Sequence, residues 1–137
     1  MAYFIFTKAI LGNKPIDIYN HGAMKRDFTY IDDVTEGIFR IIDKPPTCEA
    51  NSRSSGAPYR IYNIGNGKAV GLMEFVESIE KALGIKALKN MLPLQPGDMP
   101  STWADTADLK RDFDYQPTTP VRKGIETFIE WYLNYHR

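Results

Sequence analysis

Between residues 72 and 83, apolar side chains fall at Leu72, Phe75, Val76, Ile79 and Leu83, the three-and-four spacing of a helix with one apolar face, and Gly84 supplies a stop. A helix this short gains most of its stability by covering that face. The rest of the chain must therefore bring apolar surfaces to it. Residues 2–11 carry Phe4, Ile5, Phe6, Ala9, Ile10 and Leu11 before Gly12-Asn13 and Pro15 end the run. Apolar around more than half its turn, that helix calls for burial on more than one side. A helix over residues 33–43 sets Val34, Ile38, Ile41 and Ile42 on one core stripe and stops at Pro45-Pro46, with Asp33 as its cap and Glu36 completing a capping box. A short helix near 105–113 takes Asp105 as its cap. Thr119-Pro120, a cap followed by proline, opens the last helix, whose inner face is Val121, Ile125, Phe128, Ile129 and Tyr132.

Between these helices lie short extended runs. Residues 16–19 alternate apolar and polar, and His21-Gly22-Ala23 breaks them; residues 27–31 form a second run. Tyr59-Arg60-Ile61-Tyr62-Asn63-Ile64 has strand formers at most positions and closes at Gly65-Asn66-Gly67. A further extended segment over 87–95 ends in Pro96-Gly97-Asp98, and residues 45–58, rich in Pro, Ser, Asn and Gly, read as a loop. Helices and short strands in mixed order predict an α/β (mixed α+β) arrangement without internal repeats, and 137 residues fit one domain.

Charge excludes several functions. The 17 basic and 17 acidic side chains balance, which argues against nucleic acid and against a membrane surface as partners. The opening residues, Met1 to Lys8, are too short a run to span a bilayer and lack the basic region of a signal peptide. The single cysteine, Cys48, cannot close an internal disulfide and suits a reducing cytosol, so the expected location is cytoplasmic. The two histidines, His21 and His136, form no metal-binding spacing with it, and nothing sets either beside a nucleophile.

The chemistry left is anion recognition. Lys25-Arg26-Asp27-Phe28-Thr29-Tyr30-Ile31-Asp32-Asp33 places a basic pair between an extended run and a helix start, where a guanidinium's rigid fork can grip a phosphate or carboxylate. Together with Pro15-Ile16-Asp17-Ile18-Tyr19-Asn20-His21-Gly22, this phrase closely resembles the nucleotide-sugar epimerases of the extended short-chain dehydrogenase/reductase family, and within it the UDP-glucuronate 4-epimerases. Tyr62-Asn63-Ile64-Gly65, Leu92-Pro93-Leu94-Gln95-Pro96-Gly97-Asp98 and Ala104-Asp105-Thr106 carry the resemblance onward in the same order, across nearly the whole chain.

The resemblance implies that residues 1–137 are the C-terminal, UDP-sugar-binding region of such an enzyme, with a Rossmann-type NAD-binding part upstream. It matches Arg26 to the arginine on the UDP diphosphate, Asp98 to the acidic residue on the uridine ribose, and Asp17-Ile18-Tyr19 to the segment whose backbone meets the uracil edge. Gln95 stands where many relatives carry arginine; it can donate to a phosphate oxygen but brings no charge. An ordinary strand face explains Asp17 and Tyr19 equally well, and helix capping explains Asp32 and Asp33 better than catalysis does.

The same resemblance implies NAD in the full-length enzyme and no catalytic residue here. Such enzymes use a Tyr-x-x-x-Lys pair to take a proton from the sugar, and none of the eight tyrosines has a lysine four residues later. Gly65-Asn66-Gly67-Lys68-Ala69-Val70-Gly71 reads G-x-G-x-x-x-G, yet Ile85 to Gln95 contains no acidic residue to hold a cofactor ribose, so a glycine-rich turn is the better account. The chain alone is expected to be inactive, with apolar faces that favour a homo-oligomer. Two alternatives are a nucleotide-sugar dehydratase or decarboxylase of the same superfamily, and a non-catalytic binding module.

Overall fold

The computed structural model describes residues 1–46 and 59–136. In order, the elements are α1 (Ala2–Leu11), β1 (Ile16–Ile18), a 3-10 turn (Tyr19–Gly22), β2 (Lys25–Asp27), α2 (Ile31–Ile42), β3 (Ala69–Gly71), α3 (Leu72–Leu83), β4 (Lys89–Met91), α4 (Ala107–Phe113) and α5 (Val121–Tyr135). Apart from Pro45 and Pro46, the loop read over 45–58 lies outside the described residues, as does Cys48.

The core forms where the periodic helices meet. Phe75, Val76 and Ile79 on α3 pack with Ile125 and Ile129 on α5, Ile10 on α1, and Ile16 and Ile18 on β1. Phe28, between β2 and α2, stacks flat on Phe75 with ring centroids 4.3 Å apart. The stripe that predicts α3 is thus the centre of the molecule, and Gly84 ends it in the left-handed region at φ 69°.

The strands form two small ladders. β1 pairs parallel to β4, with Asp17 opposite Asn90, and β2 pairs antiparallel to β3, with Arg26 opposite Val70. The mixed α/β expectation holds, but individual elements depart from it. The first strand stops at Ile18, and Tyr19 enters the 3-10 turn, where Asn20 and His21 take φ near +50°. The second begins at Lys25, so Ile31 already opens a helix. β3 was not expected; three residues including a glycine leave no periodic signal.

Residues 59–64 form no ladder, since no strand among the described residues lies beside them. Side chains hold the segment instead: the Tyr62 hydroxyl donates to Asp112 at 2.8 Å, and the Asn63 amide to the Asp105 carbonyl at 3.1 Å. The Asp112 carboxylate also meets Arg60 at 3.0 Å, and burial together with Asp112 raises the Tyr62 hydroxyl's pKa above its ordinary value.

Two predicted caps are also corrected. α2 starts from Tyr30, so Asp33 lies inside the first turn and no capping box forms; its carboxylate faces α5 instead. α5 takes Pro120, not Thr119, as the residue before its first turn, because the Thr119 hydroxyl donates to Asp33. Asp105 accepts the Ala107 N–H at 3.0 Å as a cap would, though Thr106 precedes α4.

The stripe read on α2 is not a core stripe. Ile38 and Ile42 are exposed, as are Ile31 and Phe39, and only Gly37 is buried, under Ile64 and Tyr115. The described residues supply no element to cover that side.

Candidate functional site

Asp17 on β1 and Arg26 on β2 share one cleft of about 530 Å³, lined also by Tyr19, Met24, Phe28 and Asp98 among others. Four of the six residues expected to bind substrate therefore share it. Ile18 does not reach it, being wholly buried with its carbonyl accepting the Leu92 N–H at 2.9 Å. Gln95 is exposed outside the lining; its carbonyl accepts the Asp98 N–H at 3.1 Å and closes the turn that presents Asp98, with Gly97 at φ +89°.

Arg26 sits in the middle of a strand, and its anchoring is specific. The Nη1 nitrogen donates to the carbonyls of Lys25 and Met99, each at 2.8 Å. A guanidinium has five N–H donors in a planar fork, so two carbonyls on one nitrogen leave the Nε and Nη2 edge without an acceptor among the described residues. That edge offers two parallel donors, the geometry that takes two oxygens of a phosphate.

Asp98 approaches because its segment is stitched to β2. Lys25 donates its N–H to Pro100 at 2.8 Å and accepts the Thr102 N–H at 3.3 Å, with the Met99 carbonyl on Arg26 between them. Lys25 itself is exposed and does not line the cleft. Across the cleft, the Asp17 carboxylate accepts from the Asn90 side chain at 2.9 Å. In a parallel ladder, alternate residues turn their backbone groups to opposite edges. Ile16 and Ile18 face β4, through Ile16 N–H to Leu88 and Leu92 N–H to Ile18, so the Asp17 N–H and carbonyl lie on the open edge.

The glycine-rich turn before β3 does something else. Its Asn66 and Gly67 N–H groups donate to the Asp27 carboxylate at 3.2 and 2.9 Å. An anion already occupies the donors that a cofactor phosphate would need, and its charge repels a second one. These residues do not fit an NAD site. Among the described residues there is also no cluster of metal-binding side chains, and no helix is long and apolar enough to cross a membrane. A second cavity, of about 350 Å³ between α1, α2 and α5, is lined by Phe28, Tyr30, Phe75 and Phe128 and by no acidic or basic side chain, which unsuits it for a diphosphate.

Sequence reasoning missed the Met99 carbonyl and Asp27. Neither has a local signal, because each acts on residues far along the chain.

Residues 2–65 match the NAD dependent epimerase/dehydratase family. The chain is 50% identical, along its whole length, to Protein CapI of Staphylococcus aureus, of which it covers 43%. It is 45% identical to the probable UDP-glucuronate 4-epimerase of Rhizobium meliloti, again over all of this chain and 43% of that protein. In fold it is similar to the UDP-glucuronic acid 4-epimerase of Bacillus cereus in complex with UDP-glucuronic acid and NAD, with a TM-score of 0.79, 28% identity, and coverage of 98% of this chain and 40% of that one. The chain thus spans about two fifths of the length of the proteins it matches.

Proposed function

We propose that this chain, a relative of the NAD dependent epimerase/dehydratase family in sequence and in Rossmann-type epimerase fold, is the UDP-sugar-binding part of a cytoplasmic UDP-glucuronate 4-epimerase. The observation that carries the reading is the cleft itself. One guanidinium edge without an acceptor among the described residues, one exposed carboxylate and one strand edge left open by them meet there. They match the three parts of a nucleoside diphosphate. The Nε and Nη2 donors of Arg26 take diphosphate oxygens, Asp98 accepts the ribose hydroxyls, and the Asp17 N–H and carbonyl pair with the donor and acceptor of the uracil edge beside Tyr19. Gln95 serves by shaping the turn under Asp98.

Such an epimerase inverts C4 by oxidation to a ketone and hydride return, with NAD as the redox partner. The glycine-rich turn, its N–H groups taken by Asp27, does not fit an NAD phosphate, and this reading gives the chain the binding of substrate. The proton and hydride chemistry is assigned to the part of the enzyme outside the aligned two fifths. Alone, the chain is not expected to turn over.

Isothermal titration of UDP and UDP-glucuronate into the chain tests the reading. Saturable binding is expected, weakened by about 1.5–3 kcal/mol in Arg26→Ala, the range for hydrogen bonds to charged groups. Arg26→Lys keeps the charge but not the fork and restores little of it. A folded chain that binds neither ligand would overturn the proposal.

A further inference from the structure

We propose that Asp27 is a positioning residue that sets the Arg26 guanidinium, by holding both chain segments that flank β2; this rests on the reading of the cleft as a diphosphate site. Successive side chains on a strand leave by opposite faces, so Arg26 enters the cleft while Asp27 turns away from it. There the Asp27 carboxylate accepts three backbone N–H groups: Asn66 on Oδ1 at 3.2 Å, and Gly67 at 2.9 Å and Ala104 at 3.1 Å on Oδ2.

The donors belong to two different neighbours of the strand. Asn66 and Gly67 lead into β3, which pairs with β2 along one edge. Ala104 ends the segment that runs along the other edge, where Lys25 is bonded to Pro100 and Thr102 and the Met99 carbonyl holds Arg26. One carboxylate therefore fixes both edges at the residue next to the arginine. The junction is tight: a Cβ on Gly65 would lie 2.6 Å from the Ala104 Cβ and 3.0 Å from Asp27 Oδ2. If the Ala104 end slackens, the Met99 carbonyl moves, and with it the anchor that aims the free guanidinium edge.

The test uses Asp27→Asn in the 137-residue chain. The shape is kept, but one oxygen becomes an NH2 group facing an N–H donor. Proton exchange followed by NMR on the ligand-free chain should show faster exchange at the Ala104 and Thr102 amides and at the Arg26 guanidinium, with the Ile79 amide in α3 unchanged. UDP titration should show a Kd raised about tenfold, the size of one lost charge-assisted bond. This loss should vanish in the Arg26→Ala background, where there is no guanidinium left to aim. Gly65→Ala disturbs the same junction with Asp27 intact and should reproduce both effects, which keeps the test decisive if Asp27→Asn does not fold. Unchanged exchange at Thr102 and Arg26 would overturn the proposal, as would an equal loss of UDP affinity with and without Arg26. A wild-type chain that binds no UDP would instead sink the reading of the cleft, while the exchange data still decide the role of Asp27.

Discussion

The Asp33 carboxylate accepts both the N–H and the hydroxyl of Thr119, each at 3.0 Å, so the first turn of α2 grips the residue two before α5 begins. The Tyr115 hydroxyl adds a bond of 2.7 Å to the Asp33 carbonyl. Asp33→Ala leaves the part-buried Thr119 N–H without its acceptor and should cost about 1–3 kcal/mol in urea unfolding. Thr119→Val removes only the hydroxyl bond and should cost less than the aspartate change. Equal stability of the two variants and the wild type would remove this clamp from the account.

Glu80 makes the stability of the fold depend on acid. It is 3% exposed, and its carboxylate is bonded to Lys86 at 2.9 Å, to Lys89 and to the Ala87 N–H at 2.9 Å. Burial pushes its pKa up, but the bonds from Lys89, Lys86 and Ala87 outweigh burial and hold it at about 2, below its ordinary 4.5. A carboxyl depressed on folding stabilises the native state above its unfolded pKa and loses that contribution as pH falls through the folded one. The window here runs from pH 4.5 down to about 2. Glu80→Gln should lower stability at pH 7 by about 3 kcal/mol and flatten the pH dependence across that window. Melting temperatures from pH 2 to 7 for both proteins check it.

Two glycines should respond oppositely to alanine. A Cβ on buried Gly37 would meet Ile64 and Tyr115 carbons at 3.2 Å, whereas Gly71 has nothing within 4 Å. Gly37→Ala should destabilise by about 1–2 kcal/mol through overpacking, more than the helix propensity it gains. Gly71→Ala should be close to neutral. Thermal unfolding of the pair, compared under one condition, decides.

The uncovered side of α2 should make the chain associate. Ile31, Phe39 and Ile42 are each more than 60% exposed on that helix. Sedimentation velocity should show mass rising with concentration, and Phe39→Glu should reduce it. A wild-type chain that stays monomeric across the range would contradict this.

What could be read from the residues follows the range of the forces involved. α1 and α3 were legible to the residue, because 3.6-residue periodicity and a glycine stop are local. Tyr59 to Ile64 has strand composition, but a strand exists only with a partner, and composition names none. The Asp33 cap failed for a related reason: capping was a sound local use of the residue, and Thr119, far along the chain, was a better one. Only the family resemblance linked Arg26 with Asp98, and the cleft does bring them to one surface. The arrangement of Asp27 leaves no trace in its neighbours.

The contacts that build the cleft also dictate when it can form. Asn90 to Asp17 and Arg26 to Met99 each join residues 73 apart, and Ala104 to Asp27 joins residues 77 apart. Helices such as α3 can form within microseconds from contacts inside one segment, but closing separations of this length comes late and slows folding. The cleft accordingly cannot form before those separations are closed. A nucleotide that binds it selects chains in which residues 17–27 and 90–104 have already met, and a folding trace followed by ligand capture should lag one followed by helix content.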